Sequence, residues 1–201
     1  MTSEGASRRV FVLGEGAHAD AVMDRLAREG FEVEAFGPEA DPDELAGPAE
    51  ADVPYGLIIV LEEDLPSPAG WTGAWHDVVA GRVRSAYAQT RSLSRLMMRA
   101  RTGRIVFVVS ADGMRGGVRN EALTVASGVV AGMARAVARE LAGRSVLVNT
   151  VAYGASDGTD CPIGRGILPS EVAGAVAHLF TDSGAAMCGQ VVSVDGGLVM
   201  R

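Results

Sequence analysis

The sequence predicts an α/β protein built on a doubly wound, mostly parallel sheet, and three observations predict it. Short apolar runs alternate along the chain with longer stretches of helical periodicity. Several of those runs are continuously hydrophobic, as strands buried on both faces must be. The 201 residues, 48% hydrophobic, are enough for one ordinary domain spanning 1–201 with a substantial core. Aromatics make up only 5%, so Val, Ala, Leu and Gly must fill that core by close packing.

The elements follow in order. Residues Met1 to Ser7 are small and polar and read as a frayed start. RRVFVLG is a buried strand ending in glycine. From His18 to Glu29 the apolar Ala21, Val22, Leu26 and Ala27 fall at helical spacing, and Gly30 closes the helix. Phe31, Val33 and Ala35 then alternate with Glu32 and Glu34, the pattern of an edge strand wet on one side. The Pro-, Asp- and Ala-rich segment from Gly37 to Pro54 reads as a connection with at most one short helix around Asp43 to Leu45. YGLIIVL is the next buried strand, followed by the acidic run Glu62-Glu63-Asp64. A long helix is predicted from about Trp75 to Arg101. The strand GRIVFVVS ends at Ser110, a loop follows, and a small-residue helix runs from about Glu121 to Ala142. SVLVNTV leads to Tyr153-Gly154, a helix starts near Pro169-Ser170-Glu171, and QVVSV is the last strand. Right-handed crossovers join such units into a parallel sheet whose chemistry sits at the carboxyl ends of the strands.

A formal charge of −7 argues against nucleic acid or an anionic membrane as partner. Cys161 and Cys188 lack CxxC spacing, and His18, His76 and His178 lack ligand spacing, so neither a disulfide framework nor a metal site is expected. No signal peptide is evident, and the uncharged apolar run Ala122 to Ala134 is too short to span a bilayer. A soluble, cytoplasmic protein is expected.

Four stretches carry a family resemblance: Gly103-Arg104-Ile105-Val106 leading to Ser110; Gly132 through Arg139-Glu140-Leu141 into Val148-Asn149; Gly164-Arg165 with Pro169 to Val172; and Gly189-Gln190 through Asp195-Gly196-Gly197. In these the chain resembles the short-chain dehydrogenase/reductase family, in the style of the bacterial β-ketoacyl-ACP reductases. The resemblance implies a Rossmann-like sheet binding NADP or NAD, with an Asn, Ser, Tyr and Lys active site in which Tyr moves the proton. Ser110 matches the serine, but Leu123 stands at the tyrosine position, Ser127 at the lysine position and Arg82 at the asparagine position. Leucine cannot transfer a proton, so the general acid/base of the family is absent.

The cofactor motif is changed in the same direction. The family's TGxxxGxG turn lets backbone approach a pyrophosphate at a helix N-terminus. Here it reads Leu13 to Asp20; Gly14 is the only motif glycine in register, and His18 and Asp20 replace the others. Glu15 and Asp20 add negative charge beside the phosphates. Two like charges ~4 Å apart at an effective dielectric of ~20 repel by about 4 kcal/mol. The Glu62 to Asp64 run stands where the family has its NNAG sequence. The chain is also shortened between Phe36 and Gly56, where the third strand region is missing, and between Gly154 and Gly164, where the substrate lid would be.

These replacements predict no bound cofactor and no reductase chemistry. Each remaining candidate has a structural reading beside the chemical one. Ser110 is a leftover oxyanion donor or a strand-end serine. Arg82 with the Glu62 to Asp64 acids is a polar-ligand site or a set of surface ion pairs. Tyr87 and Tyr153 are relocated acids or packing residues. The resemblance implies dimer and tetramer interfaces on the helices at about 75–101 and 121–142 and on the 189–198 region, with Ala126 on a partner-facing surface. The expectation is therefore a catalytically inactive protein that assembles with itself or with an active reductase homologue, in fatty-acid or polyketide-type metabolism. The alternatives are a non-redox cyclase, lyase or isomerase using the emptied crevice, and a residual NADP-dependent oxidoreductase.

Overall fold

A computed structural model describes residues 8–61, 65, 73–117, 120–158 and 160–200, without the side chains of 48–51. The acidic run Glu62-Glu63-Asp64 lies outside the described residues.

Six strands form one sheet in the order β2-β1-β3-β4-β5-β6, and all five pairings are parallel. The strands are β1 Arg9–Leu13, β2 Glu32–Phe36, β3 Gly56–Val60, β4 Gly103–Ser110, β5 Val146–Tyr153 and β6 Val191–Val194. Every residue of β3 is buried, as its unbroken apolar run requires. β2 is half-exposed and forms one edge of the sheet, as its alternating glutamates foretell. No strand lies beyond it among the described residues, consistent with the shortened segment that follows Phe36.

The helices cover both faces. α1 (Ala17–Arg28) and α6 (Pro169–His178) pack side by side on one face, burying Val22, Leu26, Val172 and Val176 against β1, β3 and β5. α2 (Pro42–Ala51), α3 (Gly73–Ala100) and α5 (Glu121–Leu141) pack on the other, over Phe11, Leu57, Ile105 and Val148.

Two elements differ from the sequence expectation. α2 is a ten-residue helix rather than a fragment around Asp43 to Leu45. Asp41 Oδ1 accepts the Asp43 N–H at 2.8 Å and Pro42 takes the first helical position, which starts the helix locally. Tertiary contacts hold it: Leu45 is fully buried, and Gln89 of α3 donates to the Pro38 and Ala40 carbonyls. The second is α4 (Asp112–Arg115), a one-turn helix in the segment read as a loop, closed by Gly116 at φ 85°.

Several family-like motifs serve the fold alone. Asn149, 2% exposed, donates to the Met187 carbonyl and accepts the Gln190 N–H, fastening the β6 approach to β5. Asp195 accepts the N–H groups of Gly197 and Val199 at 3.0 Å, and Gly196 and Gly197 adopt positive φ to make that turn. α5 is long and apolar enough by length and composition to cross a membrane, but half of that stretch is buried within the fold.

Ala126 is also corrected. It is fully buried on the inner face of α5, so it faces the sheet and not a partner. The outward residues are Val125, Val129, Gly132 and Ala136, one helical stripe in which Val129 is 46% exposed. Tyr87 of α3 stands 51% exposed, as a rim residue rather than a site acid.

Candidate functional site

The carboxyl ends of β4 and β5 open onto a cleft of about 320 Å³, where a parallel sheet places its ligands. Ser110 and Tyr153, Cα partners at the ends of these strands, both reach it. Asp112 comes from α4, Asn120 and Leu123 from the start of α5, and Ser156 and Asp157 from the loop after β5.

Local hydrogen bonding explains each position. Asn120 caps α5 by accepting the Leu123 N–H at 2.9 Å and donates to the Leu65 carbonyl at 2.7 Å. Ser110 Oγ accepts the Asp112 N–H at 3.2 Å, which starts the α4 turn. Ser127 Oγ accepts the Ser110 N–H at 3.2 Å and is fully buried. The residue at the family's lysine position thus satisfies a strand-end backbone donor. A Cβ on Gly113 would stand 2.6 Å from the Gly128 nitrogen and 2.7 Å from Ser127 Cβ, so α4 lies directly over this turn.

Leu123, 6% exposed, lines the cleft at the tyrosine position. Among the described residues neither histidine nor lysine lines it; the ionisable side chains beside Ser110 there are Asp112, Asp157 and Tyr153. Arg82, half-buried on α3, is not among the lining residues, so it and Ser110 do not share this site. Asp112 is held by Arg115, whose Nε stands 2.9 Å from its carboxylate. Tyr153 is 1% exposed and its hydroxyl donates to the Leu61 carbonyl at 2.8 Å, so its proton is engaged within the fold.

A second recess of about 310 Å³ lies at the β1–α1 turn, lined by Gly14, Glu15, Gly16, Asp20 and Phe36 among others. Gly14 and Gly16 both adopt positive φ. A Cβ on Gly14 would stand 2.9 Å from Val60 Cβ, so packing against β3 already requires this glycine. His18 is 5% exposed and its ring stacks on Tyr153, with centroids 4.1 Å apart and planes 24° apart. A nicotinamide dinucleotide, which this type of fold implies, does not fit these residues. An imidazole stands where the resemblance expects the second motif glycine, and the Glu15 and Asp20 carboxylates flank the recess at this turn.

His76 and His178 are exposed, and Cys161 and Cys188 are free and half-buried. Among the described residues no three His, Cys, Asp or Glu side chains converge as a metal site.

Asp112, Asn120, Ser156 and Asp157 escaped sequence reasoning as cleft residues. Their position just past strand ends was the available signal. A basic groove of about 600 Å³ escaped it too: Arg95, Arg99, Arg101 and Arg144 gather around Met98 beyond the start of β4. No carboxylate lines it, and among the described residues none of the four arginines is in an ion pair.

Comparison with known proteins places these features. A family model described as enoyl-(acyl carrier protein) reductase matches residues 71–199. A 3-oxoacyl-(acyl-carrier-protein) reductase of Synechocystis is 37% identical over 139 residues, 63% of this chain and 56% of that protein. The reductase FabG of Vibrio harveyi is 32% identical over 141 residues, 63% of this chain and 58% of that protein. The chain therefore matches little more than half the length of these relatives. A short-chain dehydrogenase/reductase from Burkholderia thailandensis superposes with a TM-score of 0.86 over 96% of this chain and 93% of its own, at 20% identity, a likeness of fold.

Proposed function

The chain belongs to the short-chain dehydrogenase/reductase family, and we propose that within it this protein is a non-catalytic subunit that assembles with itself or with an active reductase homologue. The observation that carries the reading is the pairing of Ser110 with Ser127 beside Leu123. The positions that would supply proton transfer are committed to packing and to backbone hydrogen bonds. Reduction of a carbonyl needs a hydride and a proton; the positions that supply the proton in the family carry Leu123 and Ser127 here, and the β1–α1 turn is a poor fit for the carrier of the hydride.

What remains is surface. Val129, Gly132 and Ala136 form an exposed stripe on α5, and their small side chains allow close approach of a second helix pair. An added Cβ at Gly132 or Gly81 would meet nothing within 4 Å. Arg91 of α3 and Glu140 of α5, 2.6 Å apart, hold the two helices as one platform. The relatives' names specify substrates carried on acyl carrier protein, and the arginine groove suits an acidic partner of that kind in fatty-acid or polyketide-type metabolism.

Light scattering tests the first part: the purified protein alone, or mixed with an intact 3-oxoacyl carrier-protein reductase, should run as a dimer or tetramer. A monomer in both samples overturns it. The carrier reading predicts that Arg101→Glu with Arg144→Glu abolishes capture of acyl carrier protein.

The 320 Å³ cleft favours one second reading, a non-redox lyase or isomerase using Ser110, Asp112 and Asp157. A metabolite lost on Asp157→Asn but retained on Val129→Arg would select it over the assembly reading.

A further inference from the structure

The crevice that holds a dinucleotide in a doubly wound sheet lies at the strand carboxyl ends beside the first helix N-terminus. Here two side chains from opposite halves of the chain meet across it. His18 projects from the second position of α1 and Tyr153 is the last residue of β5. Their rings stack at 4.1 Å, and the Tyr153 hydroxyl continues to the Leu61 carbonyl just past β3. In the sheet order β1-β3-β4-β5, this connects β5 to β3 across the intervening β4, and α1 to both. His18 is the residue that stands for the second motif glycine, and Tyr153 is the residue before Gly154 at the end of β5. Neither makes sense singly. A histidine inside the crevice needs a planar partner to exclude water around it. A buried tyrosine needs an acceptor for its hydroxyl, which Leu61 provides.

We propose that His18 and Tyr153 form a single built-in plug that fills the dinucleotide crevice, excludes nicotinamide dinucleotides, and braces the carboxyl edge of the sheet without a ligand. This inference rests on the crevice and shares with the proposed function the misfit of the dinucleotide, while assembly itself is tested separately by light scattering.

Two measurements test it. In the wild-type protein, thermal unfolding with millimolar NADH, NADPH or their oxidised forms should show no shift in midpoint. A saturable rise for any of them overturns the proposal. The second is a double-mutant cycle. His18→Ala and Tyr153→Leu should each lower the midpoint by about 4 °C or more. The double variant should fall short of their sum by at least about 2 °C, because the second change removes a contact already lost. Strict additivity overturns the plug. Should Tyr153→Leu fail to fold, Tyr153→Phe replaces it: it keeps the stack and loses only the Leu61 bond. It should then lower the midpoint by about 2–4 °C and leave the effect of His18→Ala unchanged. A Phe variant that removed the His18→Ala effect would count against a ring stack as the coupling.

Discussion

The inner and outer faces of α5 obey different rules. The inner face carries Ala122, Leu123, Ala126, Ser127, Val130 and Ala131, all buried against the sheet and α4. Apart from the cleft that Leu123 lines, that side is closely packed: a Cβ on Gly113 would stand 2.6 Å from the Gly128 nitrogen. The outer face carries Val129, Gly132 and Ala136, all exposed, with Val125 half-buried at its margin. On the proposed reading, this helix keeps its packing inside and presents a small-residue surface outside.

The contrast can be broken most severely at Ser127. Ser127→Lys buries a charge under α4 and removes the acceptor of the Ser110 N–H. It should cost about 3 kcal/mol or more, a fall of about 6–12 °C in midpoint, measured by thermal or urea unfolding. Adding Leu123→Tyr should not bring reductase turnover, because the crevice remains closed. Next, Gly113→Ala forces α4 off α5 and should cost about 1–3 kcal/mol by the same measurement. An unchanged midpoint would mean that the α4–α5 contact is not tight. On the outer face the expectation reverses. Val129→Arg should change monomer stability by no more than about 0.5 kcal/mol, yet reduce the assembly to monomers in light scattering. Ala126→Arg, by contrast, should unfold the protein rather than split it.

The smallest effect lies at α6. Glu171 accepts both Arg165 nitrogens and the Leu168 N–H, which holds its carboxyl at about 2, below its ordinary value of 4.5; the Arg165 hydrogen bonds are the largest cause. A lowered pKa stabilises the fold above the ordinary value and loses that contribution as pH falls toward the folded one. The difference between wild type and Glu171→Gln should therefore be present above about pH 4.5 and vanish toward pH 2. It should be slight, since both side chains are exposed.

Most of the element order was legible because periodicity and turn residues are local. β2 declared itself an edge through Glu32 and Glu34, and β3 a buried strand through its unbroken apolar run. α2 was under-read because its length depends on Leu45 and on Gln89 from α3, contacts that no local window contains. The residue types at Leu123, Ser127, His18 and Asp20 were likewise legible, and the proposed function rests on reading them as replaced positions.

The sequence by itself determined the fold class and the strand and helix order, and it put leucine and serine at positions 123 and 127, where the resemblance expects a tyrosine and a lysine. Those properties depend on residue type and spacing, which the chain states directly. Only the tertiary structure decided what the replacements do instead. It turned Ser127 to the Ser110 N–H, laid His18 on Tyr153, placed Ala126 inside, and gathered four arginines into one groove. Each of these joins residues that are distant along the chain, and their meeting is set by how the sheet stacks and the helices dock.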